Sequence, residues 1–308
     1  MAHKPIVVVG SINMDLVARV PHIPAAGQTL LGSSFDLHPG GKGANQAVAV
    51  ARLGYPVQFI GQLGSDLFGR QLREHLGSVG VDTSYLGEVD GSSGVAVIAV
   101  AADGENSIIV IPGANLAVSP AFLNIHIEAL RSAGAVLAQA EIPLETILYL
   151  SEICARFSVP LIFDPAPARQ LPASFLQRLT WITPNETEAA FYTSGDNSIS
   201  LGSDPAAIAH ALLSQGMDGV ILKLGSRGAY VATAGYEAKI DPFPVEQVDT
   251  TAAGDVFNGA FATGLILGKS PVESARFASA AAAISVTRAG AQNSAPTLAD
   301  VEKLYKPV

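Results

Sequence analysis

The chain has 308 residues, of which 49% are hydrophobic and 15% are charged, so we expect a folded globular protein and not a disordered one. Its 18 basic and 27 acidic residues give a formal charge of −9, which argues against nonspecific binding to nucleic acid or to an anionic membrane surface. The only cysteine, Cys154, excludes an intramolecular disulfide, and neither a signal peptide nor a membrane-spanning run is evident, so we expect a cytoplasmic protein.

The first 111 residues predict one buried strand and two exposed pairs of strands. Residues 6–9 form a continuous β-branched run that suits a strand buried on both faces. Residues 15–20 and 29–36 alternate between apolar and polar side chains, as exposed antiparallel strands do. Residues 95–101 and 107–111 flank a polar turn, which indicates a hairpin. We expect these two pairs to form a small β-sheet separate from the main sheet.

Most of the remaining sequence alternates strands with helices, a pattern typical of an α/β fold. The predicted strands cover 57–60, 135–137, 161–163, 181–183, 220–222 and 230–232. The predicted helices cover 44–53, 68–76, 145–157, 186–191, 205–215, 256–267 and 271–287. This order predicts a mainly parallel sheet flanked by helices on both faces. Because no linker is long enough to divide the chain, we expect a single domain over residues 1–308.

The segment 249–258 is the strongest candidate for a functional site. Its small residues lead into a helix, and Gly254 lets a ligand approach the main chain. The first amides of a helix have no partner inside it and carry the positive end of its dipole, so they can bind an anion. Asp255 would repel a phosphate there unless its role is to deprotonate an attacking hydroxyl. The structural alternative makes Asp255 a dipole-favoured residue and Asp249 a cap or turn residue.

The glycine-rich loop of residues 40–46 is a second candidate. Its glycines free the backbone to approach a small ligand, and Lys42 and Asn45 offer donors to hydroxyl or phosphate oxygens. Gly43 stands where a P-loop has Ser or Thr, so the loop is not a Walker A motif. The alternative is an ordinary strand-to-helix turn with a solvated lysine.

Polar residues follow two of the predicted strands. Asn13 and Asp15 come just after the first buried strand, and Glu141 follows the strand at 135–137. Because α/β proteins bind ligands at the carboxyl ends of parallel strands, these side chains are candidate ligand contacts.

The segment 183–188 has both a structural and a functional interpretation. Asn185 and Glu188 have the spacing of a capping box, which by itself explains them. In the functional version, Glu188 holds water around Mg²⁺ while Asn185 faces a phosphate.

The segment 223–229 also has two interpretations. Flanked by two predicted strands, it indicates the turn of a β-hairpin. Its Gly-Ser-Arg-Gly sequence could also present amides, a hydroxyl and a guanidinium to a polyphosphate.

Together these motifs resemble the ribokinase-like (PfkB) family of sugar kinases, and the resemblance covers essentially the whole chain. The segment 249–258 is the most diagnostic part. The other segments that carry the resemblance are 10–15, 40–46, 165–169, 183–188, 224–228 and 287–292. The implied fold is the family's α/β core with a β-sheet lid.

The resemblance implies an enzyme that transfers the γ-phosphoryl group of ATP to O5 of D-ribose, with Asp255 as the base. The amides of Ala253, Gly254 and Asp255 are implied to hold the transferred group. The implied sugar contacts are Asn13, Met14, Asp15, Gly41, Lys42, Asn45, Glu141 and Asp255. The implied contacts to ATP and Mg²⁺ are Asn185, Glu188, Lys223, Gly225, Ser226, Gly228, Gly254 and Ser279.

Family members of this type also hold K⁺ beside the anion site, and an all-oxygen cage suits such a hard ion. The implied side-chain ligands here are Asp249 and Ser294. The implied carbonyl ligands are those of Thr251, Ser285, Arg288 and Gly290.

The resemblance also assigns a role to the two exposed strand pairs. The lid segments, approximately 13–38 and 94–112, are implied to cover the sugar and to pair with a second subunit in a homodimer. Covering the sugar excludes water, which competes with it for the phosphoryl group.

Three residues depart from the pattern that we expect of the family. Met14 stands where a smaller residue is usual, which could narrow the sugar pocket and favour 2-deoxyribose. Lys223 replaces a threonine and either contacts ATP or points to solvent, and Ser279 replaces a histidine near the nucleotide base. Two alternatives therefore stay open: a kinase for another acceptor (2-deoxyribose, fructose or a nucleoside) and a catalytically silent sugar sensor.

Overall fold

The computed structural model describes residues 4–194 and 204–305. The strands are β1 (Ile6–Val9), β2 (Asn13–Val20), β3 (Ser34–Gly40), β4 (Val57–Gly64), β5 (Leu86–Val89), β6 (Gly94–Ala101), β7 (Asn106–Ile111), β8 (Ala135–Gln139), β9 (Leu161–Asp164), β10 (Trp181–Ile182), β11 (Gly219–Lys223), β12 (Ala229–Thr233) and β13 (Glu237–Ile240). The helices are α1 (Lys42–Arg52), α2 (Leu67–Ser78), α3 (Pro120–Ile125), α4 (Ile127–Ser132), α5 (Leu144–Phe157), α6 (Ala173–Leu176), α7 (Glu186–Tyr192), α8 (Pro205–Leu213), α9 (Ala253–Ile266), α10 (Pro271–Ser285) and α11 (Leu298–Leu304). Among the helices of these residues, none has the length and apolar character needed to cross a membrane.

The main sheet confirms the predicted α/β fold. Its nine strands have the order β13-β12-β11-β10-β9-β8-β1-β4-β5, and they are parallel except where β12 pairs with β11 and β13. Strand β1 lies inside the sheet between β8 and β4 and is fully buried, because Ile6 and Val8 pack into one hydrophobic cluster and Val7 and Val9 into the other. Helices α1, α9 and α10 contribute to the first cluster, and α5 and α8 to the second.

The Ala- and Gly-rich C-terminal helices pack unusually close together. A Cβ on Gly259 would lie 2.8 Å from the Cβ of Ala49 on α1, and one on Gly264 would lie 2.9 Å from the Cβ of Ser274 on α10. Small residues therefore allow α9 to pack against both neighbours. This contact holds the starts of α1 and α9 side by side at the carboxyl edge of the sheet.

The two exposed strand pairs form one four-stranded lid sheet of order β3-β2-β6-β7. The antiparallel pairs β2–β3 and β6–β7 were predicted, and a parallel pairing of β2 with β6 joins them. The predicted strand at 29–36 was placed too early, because the register pairs Arg19 with Ser34 and Asn13 with Gly40. The strand tolerates Pro39 because β3 lies at the edge of the sheet, where a missing N–H breaks no ladder.

Several elements were missed or misjudged in length. Strand β4 continues to Gly64 because its second half pairs with the unpredicted edge strand β5. Strand β13 and helices α3, α4, α6 and α11 are short, so they show too few repeats of an apolar period to be recognised. Helix α8 ends at Leu213 and α10 at Ser285, each two residues before the predicted end.

Candidate active site

Helix α9 begins at Ala253, three residues earlier than predicted, and its start has no side-chain cap. Ala252 at the N-cap has a left-handed backbone with φ of 60°, so this alanine and not Gly254 makes the sharp turn. The amide of Ala253 donates to the carbonyl of Thr250 at 3.2 Å. Within residues 4–194 and 204–305, the amides of Gly254 and Asp255 have no acceptor. The predicted set of three free amides is therefore reduced to two, which still suit an anion.

Asp255 lies at this helix start with a side chain that is only 4% exposed. One carboxylate oxygen accepts from Asn45 Nδ2 at 3.0 Å, and the other accepts from Gln46 Nε2 at 3.2 Å. Burial raises the pKa of Asp255, whereas the positive charge of Lys42 opposes that rise. A carboxylate with a raised pKa in a polar cleft has the properties of a general base.

The predicted sugar contacts converge around that carboxylate. Glu141 Oε2 accepts from the hydroxyl of Ser11 and from the backbone amide of Lys42 at 3.3 Å. Burial, with the nearby charges of Glu141 and Asp255, raises the pKa of Asp15 to about 7. The pKa of Glu141 is also raised, mainly by burial. The resulting mixture of carboxylates and donors can bind several hydroxyl groups, each in its own orientation.

In the glycine-rich loop, Lys42 supplies a positive charge to the site, and Gly41 allows the backbone conformation of the loop. Lys42 is half-buried beside these acids, and the charge of Asp255 raises its pKa, so it is not simply a solvated lysine. Gly41 has φ of 86°, and a Cβ there would lie 2.7 Å from the Cα of Ile12. The glycine is therefore required by the close approach of the loop to the backbone at the start of β2.

Two residues of β2 point in different directions. Asn13 is buried and accepts from Asn115 Nδ2 at 2.8 Å, which fixes its side-chain amide. Met14 is buried in the hydrophobic cluster around Ile12 and Leu63. Because successive side chains of a strand alternate between faces, Met14 lies on the opposite face from Asn13 and Asp15.

Lys223 connects the end of β11 to the start of α9 and does not point to solvent. Its Nζ atom forms an ion pair with Asp164 Oδ1 at 3.0 Å, and its side chain is 13% exposed. The same atom lies 3.4 Å from the position that a Cβ on Gly254 would occupy. A positive charge therefore stands beside the two free amides, where it adds to their attraction for an anion.

A cavity of about 490 Å³ opens on the other side of the helix start. It brings together most of the predicted nucleotide contacts, namely Lys223, Gly225, Ser226, Gly228, Gly254 and Ser279. Phe243, Phe257 and Val286 contribute apolar walls. A cleft of this size with apolar walls and a few convergent polar groups is typical of a small-molecule site.

Asn185 and Glu188 form the predicted capping box of α7. The side chain of Asn185 accepts from the Glu188 amide at 2.8 Å, and Glu188 accepts from the Asn185 amide at 2.8 Å. The backbones of Asn185 and Lys223 also form an isolated parallel β-bridge at the end of β11. This bridge places the capping box near the charge of Lys223. Burial raises the pKa of Glu188, and the charge of Lys223 opposes that rise.

The segment around Asp249 lies against the loop after α10. Asp249 Oδ2 accepts from the Gly290 amide at 2.8 Å, and Oδ1 accepts from the amide of Thr251 at 2.8 Å. Burial would raise the pKa of Asp249, but hydrogen bonds from Thr251 and Gly290 lower it. Asp249 is thus a turn residue that joins two of the segments from which K⁺ ligands were predicted.

Two other predicted K⁺ ligands have side chains that are engaged elsewhere. Ser294 Oγ donates to the carbonyl of Ala291 at 2.7 Å, which leaves its oxygen lone pairs free. The guanidinium of Arg288 has no lone pair for a cation and pairs with Asp300 at 3.1 Å, so the prediction concerns only the carbonyl of this residue. The predicted K⁺ ligands would all be oxygen atoms, as a hard cation requires.

Sequence reasoning missed several residues of the site. Gln46, Gln139, Asp164, Ser11 and Asn115 all contact a predicted site residue or its partner. Asp164 and Gln139 end strands β9 and β8, so the strand-end rule that selected Asn13 also applies to them. Nothing in the local sequence indicates the role of Asn115.

The sequence is similar to known carbohydrate kinases over nearly its whole length. A family model described as "pfkB family carbohydrate kinase" matches residues 3–298. Ribokinase of Bacillus subtilis (strain 168) is 41% identical over 302 residues, which cover 98% of this chain and 99% of the relative. Deoxyribokinase of Salmonella typhi is 35% identical over 295 residues, which cover 95% and 96% of the two chains.

A solved structure agrees as well. The structure of Arabidopsis thaliana ribokinase complexed with ribose and ATP matches with a TM-score of 0.91 at 35% identity, covering 98% of this chain and 99% of that one. The fold is thus shared with known kinases, and the sequence similarity to them extends over nearly the whole chain. The chain belongs to the PfkB family of carbohydrate kinases.

Proposed function

We propose that this protein is an ATP-dependent kinase that phosphorylates D-ribose at O5 and releases D-ribose 5-phosphate. The observation that carries the proposal is the position of Asp255. Its buried carboxylate accepts from the predicted sugar contact Asn45, and it belongs to the first turn of a helix whose neighbouring residue Gly254 has a free amide and lines the apolar-walled cavity.

The reaction follows from this arrangement. The carboxylate of Asp255 accepts the proton of the O5 hydroxyl as that oxygen attacks the γ-phosphorus and the bond to the leaving ADP breaks. The amides of Gly254 and Asp255, with the charge of Lys223, stabilise the transferred group. The half-buried Lys42 and the neighbouring acids orient the sugar.

Ribose as the acceptor is supported by relatives, and 2-deoxyribose is the second candidate. The Bacillus subtilis relative is a ribokinase, and the Arabidopsis relative was solved with ribose and ATP. The Salmonella typhi relative is a deoxyribokinase that matches almost as well. We propose that Met14, through its packing behind β2, tunes the pocket between these two sugars.

The metal ions are part of the same proposal. Mg²⁺ would neutralise charge on the ATP phosphates, with Glu188 holding its water shell and Asn185 close to a phosphate. K⁺ would be held by the oxygens of Asp249, Ser294, Thr251, Ser285, Arg288 and Gly290. For K⁺, initial rates are compared in KCl and in tetramethylammonium chloride, and equal rates would count against the ion.

The lid carries the proposal of a homodimer. Its outer surface is strongly apolar, with Phe35 and Ile109 each 62% exposed and all six residues of β7 exposed. Such a surface on a monomer favours association with a second copy of the lid. Sedimentation velocity should show a dimer that Ile109→Asp converts to monomer, whereas a monomeric wild-type protein would refute this part.

The experiment that tests the function is ADP release over a panel of ribose, 2-deoxyribose, fructose and nucleosides with Mg²⁺ and K⁺ present. We expect the highest kcat/KM with ribose. A much higher value with another sugar would replace ribose as the acceptor. If ribose binds but no ADP appears with any sugar, the protein is a sensor and not a kinase.

A further inference from the structure

Gln46 lies between two buried acids and has a fixed orientation. It is fully buried on α1, and its Oε1 atom accepts from Gln139 Nε2 at 2.8 Å. Its NH₂ group must therefore point the other way. There Nε2 donates to Asp164 Oδ2 at 3.1 Å and to Asp255 Oδ1 at 3.2 Å.

We propose that Gln46 is a positioning residue that holds the Asp255 carboxylate in its ionised, catalytically oriented form and couples it through Asp164 to Lys223. The inference rests on the proposed function, because it names the group that prepares the proposed base.

A primary amide is the side chain that this position requires. Asp164 and Asp255 would repel each other across the gap, and one NH₂ group offers a proton to each without adding a charge. A lysine there would compete with Lys223 for the carboxylate of Asp164. An asparagine is too short to reach both acids. Two hydrogen bonds and an ion pair thus connect Asp255 through Gln46 and Asp164 to Lys223. The Lys223 ammonium lies beside the free amides.

The electrostatic surroundings show why the donor matters. The charged and titratable groups that act on Asp255 are Lys42, Asp164, Asp15 and Glu141, and Lys223 is paired with Asp164 behind them. Burial and the charge of Asp164 raise the pKa of Asp255, and hydrogen bonds from Asn45 and Gln46 lower it. Removal of the Gln46 donor should therefore raise the pKa of Asp255, so that this carboxylate is protonated at a higher pH than in the wild type.

The test compares Gln46→Met, which keeps the length but removes both donors, with the control Gln58→Met. Gln58 is a partly buried glutamine that donates to Tyr85 at 3.2 Å near the opposite end of the sheet. For Gln46→Met we expect kcat at pH 7 to fall about 10- to 100-fold, the range for a lost hydrogen bond to a charged group. The difference in kcat from the wild type should narrow as pH rises, because the acid limb of the pH profile moves to higher pH. The KM for the sugar should change little.

A second variant tests the same effect without replacing Gln46, in case Gln46→Met folds poorly. Gln139→Met leaves Gln46 in place but removes the bond that orients its amide. It should move the acid limb in the same direction by a smaller amount. The control should leave the profile unchanged, although its melting temperature falls.

The carboxyl of Asp255 can also be titrated by carbon NMR of aspartate-labelled protein, which requires no turnover. An upward shift in Gln46→Met with an unchanged Gln58→Met supports the proposal, even if ribose proves not to be the acceptor. An Asp255 titration and a pH profile that match the wild type would overturn it while leaving the kinase activity intact. Equal loss of activity at every pH would likewise overturn it, since that is the signature of a purely structural role.

Discussion

Helices α9 and α10 pack against each other, but their N-termini are built in opposite ways. Helix α10 starts with a capping box, in which Ser270 Oγ accepts from the Glu273 amide at 3.2 Å and Glu273 accepts from the Ser270 amide at 3.1 Å. Helix α9 has Ala252 as its N-cap, and the methyl side chain of this residue cannot accept a hydrogen bond. One helix start is closed by its own residues, and the other is left open.

The carboxylates in the two first turns differ in the same sense. Hydrogen bonds from Ser270 lower the pKa of the exposed Glu273, whereas burial raises that of Asp255. An acid that is satisfied at a helix start stabilises the helix, and one that is buried beside free amides is prepared to accept a proton. This contrast is the one that the proposed function requires between a structural helix start and a catalytic one.

Replacement of the base should have the largest effect. Asp255→Asn keeps the size of the side chain but cannot accept the hydroxyl proton, so kcat should fall about 10²–10⁴-fold. Binding of ATP, measured by calorimetry, should stay close to that of the wild type because the cavity is untouched. Turnover near the wild-type value would remove Asp255 from its assigned role.

Closing the open helix start should have the next largest effect. Ala252→Asp places a carboxylate beside the free amides, where it competes with and repels the phosphoryl group, and kcat should fall roughly 10²-fold. Ala252→Gly is the matched control, since glycine adopts φ of 60° without strain and leaves the amides free. Equal activity of both variants would show that this helix start does not hold the transferred group.

A smaller effect concerns pH. Asp15, whose pKa is raised to about 7, can accept bonds from two sugar hydroxyls only when ionised. Ribose affinity, measured by calorimetry without ATP, should weaken as pH falls below 7, approaching about tenfold per pH unit. Asp15→Asn should bind weakly with a flat pH profile, and a flat profile in the wild type would contradict the assignment.

The smallest effect should come from opening the closed helix start. Ser270→Ala removes the cap of α10, so the melting temperature should fall by about 2 °C. Sugar-dependent ADP release at 25 °C should be unchanged, because Ser270 does not line the cavity beside α9 and is not among the predicted sugar contacts. A large loss of activity would mean that the two helix starts are not as different as their caps suggest.

Local patterns were enough to predict much of this molecule. The β-branched run of β1, the capping box of α7 and the open first turn near Asp255 all depend on residues close together in the sequence. The parallel pairing of β2 with β6 depends on distant residues, and so does the bond between Gln46 and Asp164, which are 118 positions apart. No local pattern encodes those contacts.

The start of α9 shows the same limit at short range. A helix predicted from Val256 is the natural choice, because apolar periodicity begins there and an alanine is not a usual left-handed residue. The structure begins the helix at Ala253, after a turn in which Asp249 is bonded to Val286 and Gly290 at the end of α10 and in the loop that follows it. The sequence therefore located the turn that leads into this helix but not which of the first amides are free.

The most direct measurement is a crystal structure of the protein with ribose and a non-hydrolysable ATP analogue. We predict that the Asp255 carboxylate lies about 2.6–3.2 Å from the O5 hydroxyl, within hydrogen-bond reach. The γ-phosphate should face the amides of Gly254 and Asp255. A sugar bound with O5 out of reach of Asp255, or a γ-phosphate held away from the start of α9, would contradict the account.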